Sequence, residues 1–420
     1  MIPKLDEYKK KWEVNSDASI KPGLEAIKSA LHLLDNPHKS LQVVHLAGTN
    51  GKGSTLTFIE NIALNHGLTV GKFMSPCIVD VHDQIQINGN PISPKEMDGI
   101  FATFKKLNIS GLLTDFELLT CAAFLHFKNH NVDLVLLEAG MGGREDSTNV
   151  ITPIVSVIPS ISLEHTRFLG NSIESIASHK AGIIKENRPV VIGNLPEEAI
   201  EVIEKEAKQN NAPLYRIGSD FQVELSNDGD IYVNENKNIR IDHLHRALLG
   251  DHQGNNMALA ITAFIEVAQH FQINISDSKV REAIENAKVP GRFEEVLYNV
   301  YFDGAHNPDS ANKLAQTIKQ HFQNEEITFV VGMLADKDIK NVLSILENVS
   351  NQFYFVDFSN PRAMNAEEML NLSNANNKIV LKDPIAFLKT RSMAEGKTIV
   401  TGSLYLLAEI RQQLLDNNKM

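Results

Sequence analysis

His45-Leu46-Ala47-Gly48-Thr49-Asn50-Gly51-Lys52-Gly53-Ser54-Thr55 is the stretch whose reading decides this chain. Val43, Val44 and Leu46 form an apolar run that predicts a buried strand, the glycines permit a tight turn, and residues 55–64 read as a helix. Backbone N–H groups at such a helix start point at an anion, Lys52 supplies a mobile positive charge, and Ser54 or Thr55 can offer a hydroxyl to Mg2+. The predicted ligand is a nucleoside triphosphate. The usual spelling G-x-x-x-x-G-K-[ST] is not met, because Leu46 stands at the first glycine position and Gly53 follows the lysine directly. The competing reading is a glycine-rich turn that binds nothing; it does not explain why glycine, lysine and hydroxyl fall together after a buried strand.

At 420 residues the chain exceeds one ordinary core, so two domains are expected. A hydrophobic content of 43% and a charged content of 22% are those of a globular protein. The net charge of −12 argues against nucleic-acid or anionic-membrane binding, which needs a basic face. Anionic substrates must then be met by local lysines and arginines. Cys77 and Cys121 alone can build neither a disulfide framework nor a Cys-rich zinc site, which fits a reducing cytoplasm. Residues 1–12 are charged and lack a signal-peptide core, and no run of about 18 apolar residues occurs, so neither export nor membrane spanning is expected.

Strand-like runs at 43–47, 70–74, 134–137, 154–158 and 190–192 alternate with helical patterns. Apolar residues at nearly every position suit an α/β sheet covered on both faces. Between 214 and 248 the texture changes to short alternating segments around Asn227-Asp228-Gly229-Asp230, read as an antiparallel hairpin appended to the main sheet. Helices are expected over 255–271 and up to Ala287. After Pro290-Gly291, strands at 296–302, 327–331, 353–356, 379–381 and 398–400 form a second, smaller α/β unit. The expected boundary divides 1–291 from 292–420.

Leu134-Val135-Leu136-Leu137-Glu138 ends in a carboxylate where α/β folds bind ligands, so Glu138 is a candidate Mg2+ ligand; a solvated strand end is the plainer alternative. His165 follows another strand-like run, and a lone histidine is more often a core or surface residue than a ligand. Lys180, on a helix ending at Gly182, reads locally as a surface lysine. Thr114-Asp115-Phe116-Glu117 reads as a capping box. Asp303, at the end of the strand before Gly304-Ala305-His306-Asn307-Pro308, could accept from ribose hydroxyls or belong to an ordinary Asn-Pro turn.

Taken in order, these segments resemble folylpolyglutamate synthase, sometimes bifunctional with dihydrofolate synthase, within the Mur ligase superfamily. The resemblance runs from Lys21-Pro22-Gly23-Leu24-Glu25 to Thr401-Gly402-Ser403-Leu404-Tyr405. Its specific pieces include 48–54, Ser75-Pro76, 138–149, His165, Lys180-Ala181-Gly182, His252-Gln253 with Asn256, Pro290-Gly291-Arg292-Phe293-Glu294, 303–308 and 332–338. It implies an N-terminal ATPase domain and a C-terminal Rossmann-like domain with the active site between them. Thr49, Asn50, Gly51, Lys52, Gly53, Ser54, Asn256, Arg292 and Asp303 would hold ATP; Ser54, Ser75, Glu138 and His165 would bind magnesium, with two ions expected. Lys180 would be carried as a carbamate and join the metal set, and Lys52, Lys180 and His165 would serve catalysis. Thr114, Asp115, Phe116 and Glu117, with Glu145, Asp146 and Ser147, would line the folate pocket.

The activity so implied is ATP-dependent addition of L-glutamate to the γ-carboxylate of a reduced folate through an acyl phosphate, by a monomeric cytoplasmic enzyme. Departures from the family pattern are Cys77 for His, Glu164 for Asp, Ala26 for Arg, and Lys21-Pro22-Gly23 for Asp-Leu-Gly. They bear on the pterin pocket and on dihydrofolate synthase activity, and they leave the ATP site intact. Two alternatives stand beside this reading. One is a non-catalytic paralogue that binds folate or nucleotide. The other is a cell-wall Mur ligase, suggested by Ser359-Asn360-Pro361-Arg362.

Overall fold

The computed structural model describes every residue except Met1, Ile20, Pro22, Ile78, Asn227 and residues 418–420. The readings of Pro22 and Asn227 therefore lie outside the described residues. The chain divides into two compact units: residues 1–247 with 253–287, and residues 248–252 with 288–420. The division follows residue 287 rather than 291, and grouping 248–252 with the second unit was not expected.

In the first unit, β1 (Val43–Leu46), β2 (Val70–Phe73), β3 (Ile85–Ile87), β4 (Asn90–Pro91), β5 (Leu134–Glu138), β6 (Val155–Ile158), β7 (Val190–Ile192) and β8 (Leu214–Arg216) form one sheet. Their order is β4-β3-β2-β5-β1-β6-β7-β8. From β2 to β8 all neighbours are parallel, whereas β3 and β4 are added antiparallel at one edge. Every residue of β1, β2, β5, β6 and β7 is buried, as their largely apolar runs predict, and the polar residues among them, His45, Lys72, Glu138 and Ser156, are buried with the rest. Helices Glu25–Leu33, Pro94–Lys106 and Asp115–Asn129 supply one large core with Phe101, Phe104, Phe124 and Phe127. Helices Ile173–Ala181 and Glu197–Gln209 supply a second with Ile176, Ile192 and Ile203. Each fully buried side chain of this size contributes roughly 1.5–3 kcal/mol.

The appended element is larger than expected. β9 (Gln222–Glu224), β10 (Asp230–Asn234) and β11 (Ile239–Leu244) form a three-stranded antiparallel sheet of their own, while β8 joins the main sheet. Tyr232 anchors it: its ring is fully buried and its hydroxyl lies 2.9 Å from Thr262 Oγ1 on helix Asp251–Phe271. Both cysteines are buried, which pushes the Cys77 thiol up to about 12 and raises that of Cys121 as well.

In the second unit, β12 (Glu294–Leu297), β13 (Val300–Asp303), β14 (Ile327–Val331), β15 (Gln352–Phe355), β16 (Asn377–Val380) and β17 (Lys397–Thr401) take the order β12-β13-β17-β14-β15-β16. All are parallel except β12. The run 296–302, expected as one strand, is a hairpin, with Asn299 in the left-handed region at φ 63°. Phe329, Phe353 and Phe355 lie in one core, and Phe302, Val330 and Leu406 in another. Among the described residues no helix is long and apolar enough to cross a membrane.

Candidate active site

β1 ends at Leu46, and the chain turns through 47–51 into helix Lys52–Asn65. The helix begins three residues earlier than the sequence suggested, so Gly53 and Ser54 belong to its first turn. Gly51 holds φ 85°, and a Cβ there would lie 2.6 Å from Asn256 Oδ1. Glycine is therefore required twice over, by backbone conformation and by the approach of Asn256. Asn256 is itself fixed by donating from Nδ2 to Gln253 Oε1 at 3.0 Å.

The segment after β6 stitches this loop in place. Thr49 N donates to Ser160 O at 2.8 Å, Asn50 N donates to Ser160 Oγ at 2.9 Å, and Ser160 Oγ donates to Asn50 O at 2.9 Å. Ser162 N donates to Thr49 Oγ1 at 3.0 Å. Lys52 Nζ donates to Gly48 O at 2.9 Å and Thr49 O at 3.2 Å, and stands 3.7 Å from Glu138 Oε1. The ammonium is thus held over the loop that presents its N–H groups. Ser160 and Ser162 escaped the sequence reading because no short motif marks a serine whose partner lies more than a hundred residues away.

Strand register gathers the residues read as metal ligands at one edge. Leu46 pairs with Glu138 and with Val157, and Phe73 pairs with Leu137. The carboxyl ends of β2, β5, β1 and β6 are therefore adjacent, and Ser75, Glu138, Ser54 and His165 leave from them. Glu138 and Ser54 are buried. His165 is exposed, with φ 51°, and starts the short helix Thr166–Leu169. A buried carboxylate and hydroxyl oxygens beside a phosphate loop form a donor set that suits Mg2+.

Lys180 departs from the surface reading: it is 3% exposed. Burial, then the charge of Lys52, pulls its pKa down to about 7, while Glu164 and Asp146 act in the opposite sense. The end of its helix packs on the loop 142–144, where Arg144 N donates to His179 O at 2.7 Å and a Cβ on Gly143 would lie 3.1 Å from Lys180 O.

The segments read as folate-binding divide by role. Thr114 and Glu117 make a full capping box, with Thr114 N and Oγ1 each donating to Glu117 Oε2 at 2.8 Å. Asp115 accepts from Lys9 Nζ at 2.9 Å and from Ser16 Oγ at 2.5 Å. Asp146 is buried and accepts from Met141 N, Thr148 N and Thr148 Oγ1, so it organises its own loop; burial raises its pKa against these bonds. Because Thr148 Oγ1 donates to Asp146, it accepts from His45 Nε2 at 2.8 Å, which places the His45 proton on Nε2. His45 is fully buried, and burial lowers its pKa to about 3. Ser147 Oγ lies 2.8 Å from Thr120 Oγ1. Phe116, partly buried, lies against Gly140, where a Cβ would come within 2.8 Å of its ring, and Glu145 is exposed.

In the second unit Arg292 and Asp303 come together. Phe293 N and Ala305 N each donate to an Asp303 oxygen at 3.0 Å. Burial raises the Asp303 pKa and the Arg292 charge opposes it. A Cβ on Gly304 would lie 2.6 Å from Arg292 Nη1, so glycine admits the guanidinium. The Asn-Pro pair is more than a turn: Asn307 caps helix Pro308–His321 by accepting from Ser310 N at 2.9 Å.

Residues 46–264 match the Mur ligase middle domain, and residues 292–414 match the C-terminal domain of dihydrofolate synthetase. A dihydrofolate synthase/folylpolyglutamate synthase of Bacillus subtilis is 38% identical over 410 residues, covering 94% of this chain and 95% of that one. The chain belongs to the dihydrofolate synthase/folylpolyglutamate synthase family. The folylpolyglutamate synthase of Lacticaseibacillus casei is 34% identical, with 93% and 94% covered. Among solved structures, the E. coli FolC in complex with DHPP and ADP superposes with a TM-score of 0.88 at 30% identity, covering 100% of this chain and 99% of that one. Family membership removes the cell-wall reading that Ser359-Asn360-Pro361-Arg362 had suggested; Arg362 instead pairs with Asp336 at 2.8 Å.

Proposed function

We propose that this chain is an ATP-dependent amide ligase that adds L-glutamate to the γ-carboxylate of a reduced folate. The observation that carries the reading is Lys52, held by two loop carbonyls 3.7 Å from the strand-end carboxylate Glu138, at the mouth of a phosphate loop. A carboxylate oxygen of the folate attacks the γ-phosphorus of ATP, the bond to the ADP oxygen breaks, and an acyl phosphate results. The amine of glutamate then attacks the acyl carbon, loses a proton, and phosphate leaves. An amine displaces a carboxylate oxygen too slowly unless phosphate first makes it a leaving group.

Roles follow from chemistry and position. Lys52 and the N–H groups of 49–54 offset the charge that develops on the transferring phosphoryl group. Ser54, Ser75, Glu138 and His165 would hold Mg2+, two ions in all, which when bound would neutralise phosphate charge. Lys180 would carry a carbamate, because a buried amine with a pKa near 7 has a substantial neutral fraction at neutral pH that can react with CO2, and the product turns a repelled cation into an oxygen donor. Asn256, Arg292 and Asp303 would hold the nucleotide. Phe116 and Glu145 would face the folate, while Thr114, Asp115, Glu117, Asp146 and Ser147 keep that wall in shape. We take the protein to act as a monomer in the cytoplasm.

Family membership with this loop intact disfavours a non-catalytic paralogue. The acceptor remains the finer choice: Lys21-Pro22-Gly23 and Ala26 favour folate, whereas the two-activity name of the 38%-identical relative favours dihydropteroate as well. Phosphate release measured with each acceptor, with and without glutamate, tests both points. Release should require acceptor and glutamate together, and Lys52→Ala should abolish it; rapid ATP hydrolysis without acceptor would sink the ligase reading. A dihydropteroate rate equal to that on tetrahydrofolate would establish the double activity.

A further inference from the structure

Glu96, His126 and His130 form a cluster, outside the site described above, whose ligand atoms all lie within 4.8 Å of one another. Glu96 stands in the first turn of helix Pro94–Lys106; His126 is in the last turn of Asp115–Asn129, and His130 caps that helix. His126 and His130 are spaced i, i+4, which puts both imidazoles on one helix face, and their centroids are 4.4 Å apart. His126 lies nine residues beyond Glu117, roughly 13 Å along the helix axis from the candidate folate wall.

Hydrogen bonding at the two outer residues leaves a specific gap. His130 Nδ1 faces the carbonyl oxygen of His126 at 3.0 Å, and because a carbonyl only accepts, Nδ1 carries the proton. Nε2 is thereby left as the free position of the ring, and it points at Glu96 Oε1, 3.0 Å away. Glu96 Oε2 is already committed, accepting from Ser93 N at 2.9 Å and Ser93 Oγ at 2.5 Å. A 3.0 Å approach of Nε2 to a carboxylate oxygen must be bridged by a proton or by a metal ion, and the third ligand, a ring nitrogen supplied by His126 within 4.8 Å, is what a metal ion would use and a proton would not. A ligating histidine that gives its other N–H to a backbone carbonyl, and a ligating carboxylate that is itself hydrogen-bonded, is how metal ligands are oriented.

We propose that Glu96 Oε1, His130 Nε2 and a ring nitrogen of His126 form a site for a divalent transition metal of the zinc class, with solvent completing the shell. Two imidazoles and one carboxylate suit Zn2+ and its neighbours rather than Mg2+. Ligand separations of about 3.4 Å, expected for tetrahedral zinc with bonds near 2.1 Å, lie within the range the cluster spans and need only side-chain rotation. His126 is 4% exposed, and the half-exposed Glu96 and His130 leave a path for entry.

The test is Zn2+ and Co2+ titration of the full chain in saturating Mg2+ and ADP, which occupy the candidate active site. One equivalent of Zn2+ should bind, and Co2+ should give a visible absorption band. His130→Ala and Glu96→Gln should each weaken binding by about tenfold or more and remove the band. The glutamine variant keeps the capping box, and metal-free melting of both variants should match wild type, which separates loss of ligand from loss of fold. Equal Zn2+ binding by wild type and both variants, or an absence of Zn2+ binding under these conditions, would overturn the site and leave a protonated His130 paired with Glu96.

Discussion

In the role proposed for it, Lys180 would set stability against function in one side chain. Its folded pKa, about 7, lies below the ordinary 10.5, so between these values the unfolded chain binds more protons than the folded one. Stability from this group therefore rises as pH rises from about 7 to 10.5, and below that window the buried amine is a burden. Lys180→Met should raise the urea midpoint at pH 7, flatten that rise, and abolish glutamate ligation. Lys180→Ala should regain part of its activity with a small added carboxylate, and Lys180→Arg should not. Normal turnover by the methionine variant would return Lys180 to packing alone. Neither the burial nor the pKa was legible in Ser178-His179-Lys180-Ala181, where the polar neighbours pointed to the surface. The fold hides Lys180 because loop 142–144 packs on the end of its helix.

Among the elements, the parallel strands were the most legible, since a strand buried on both faces is apolar at most positions. The edge pair β3–β4 was not, being very short, nor was β11, whose polar Arg240, Asp242 and His243 break the apolar run. The same contrast holds for the phosphate loop. Gly48, Gly51 and Lys52 announce themselves, whereas Ser160, which binds Asn50 through both its donor and its acceptor, is visible only once β6 lies beside β1. Ser160→Ala removes two hydrogen bonds and should cost about 1–3 kcal/mol. We expect KM for ATP to rise more than kcat falls, as the loop loses order in the free enzyme; unchanged ATP kinetics at equal stability would show that the loop holds itself.

On the scale of the whole molecule, each unit has its own sheet with apolar cores of its own, and the change in texture near 290 reflected this. A fragment of residues 288–420 should fold alone, with cooperative thermal unfolding and dispersed amide resonances; a fragment with neither would mean that its sheet depends on the rest of the chain. The net charge of −12 leaves anion binding to particular cations, and the proposed function assigns it to Lys52 in the first unit and Arg292 in the second. Salt should accordingly weaken ATP binding far less than it weakens a protein with a broad basic face.

The burial of Cys77 and Cys121 makes the native chain a blank for thiol chemistry. Because the thiolate is the reactive form and burial disfavours it at both positions, a maleimide should find no target at neutral pH, and both should react once the chain is unfolded in urea. A cysteine introduced on an exposed helix face would then be the single point of attachment for a dye or spin label, with both native cysteines left in place. Labels placed one in each unit would report their separation during turnover.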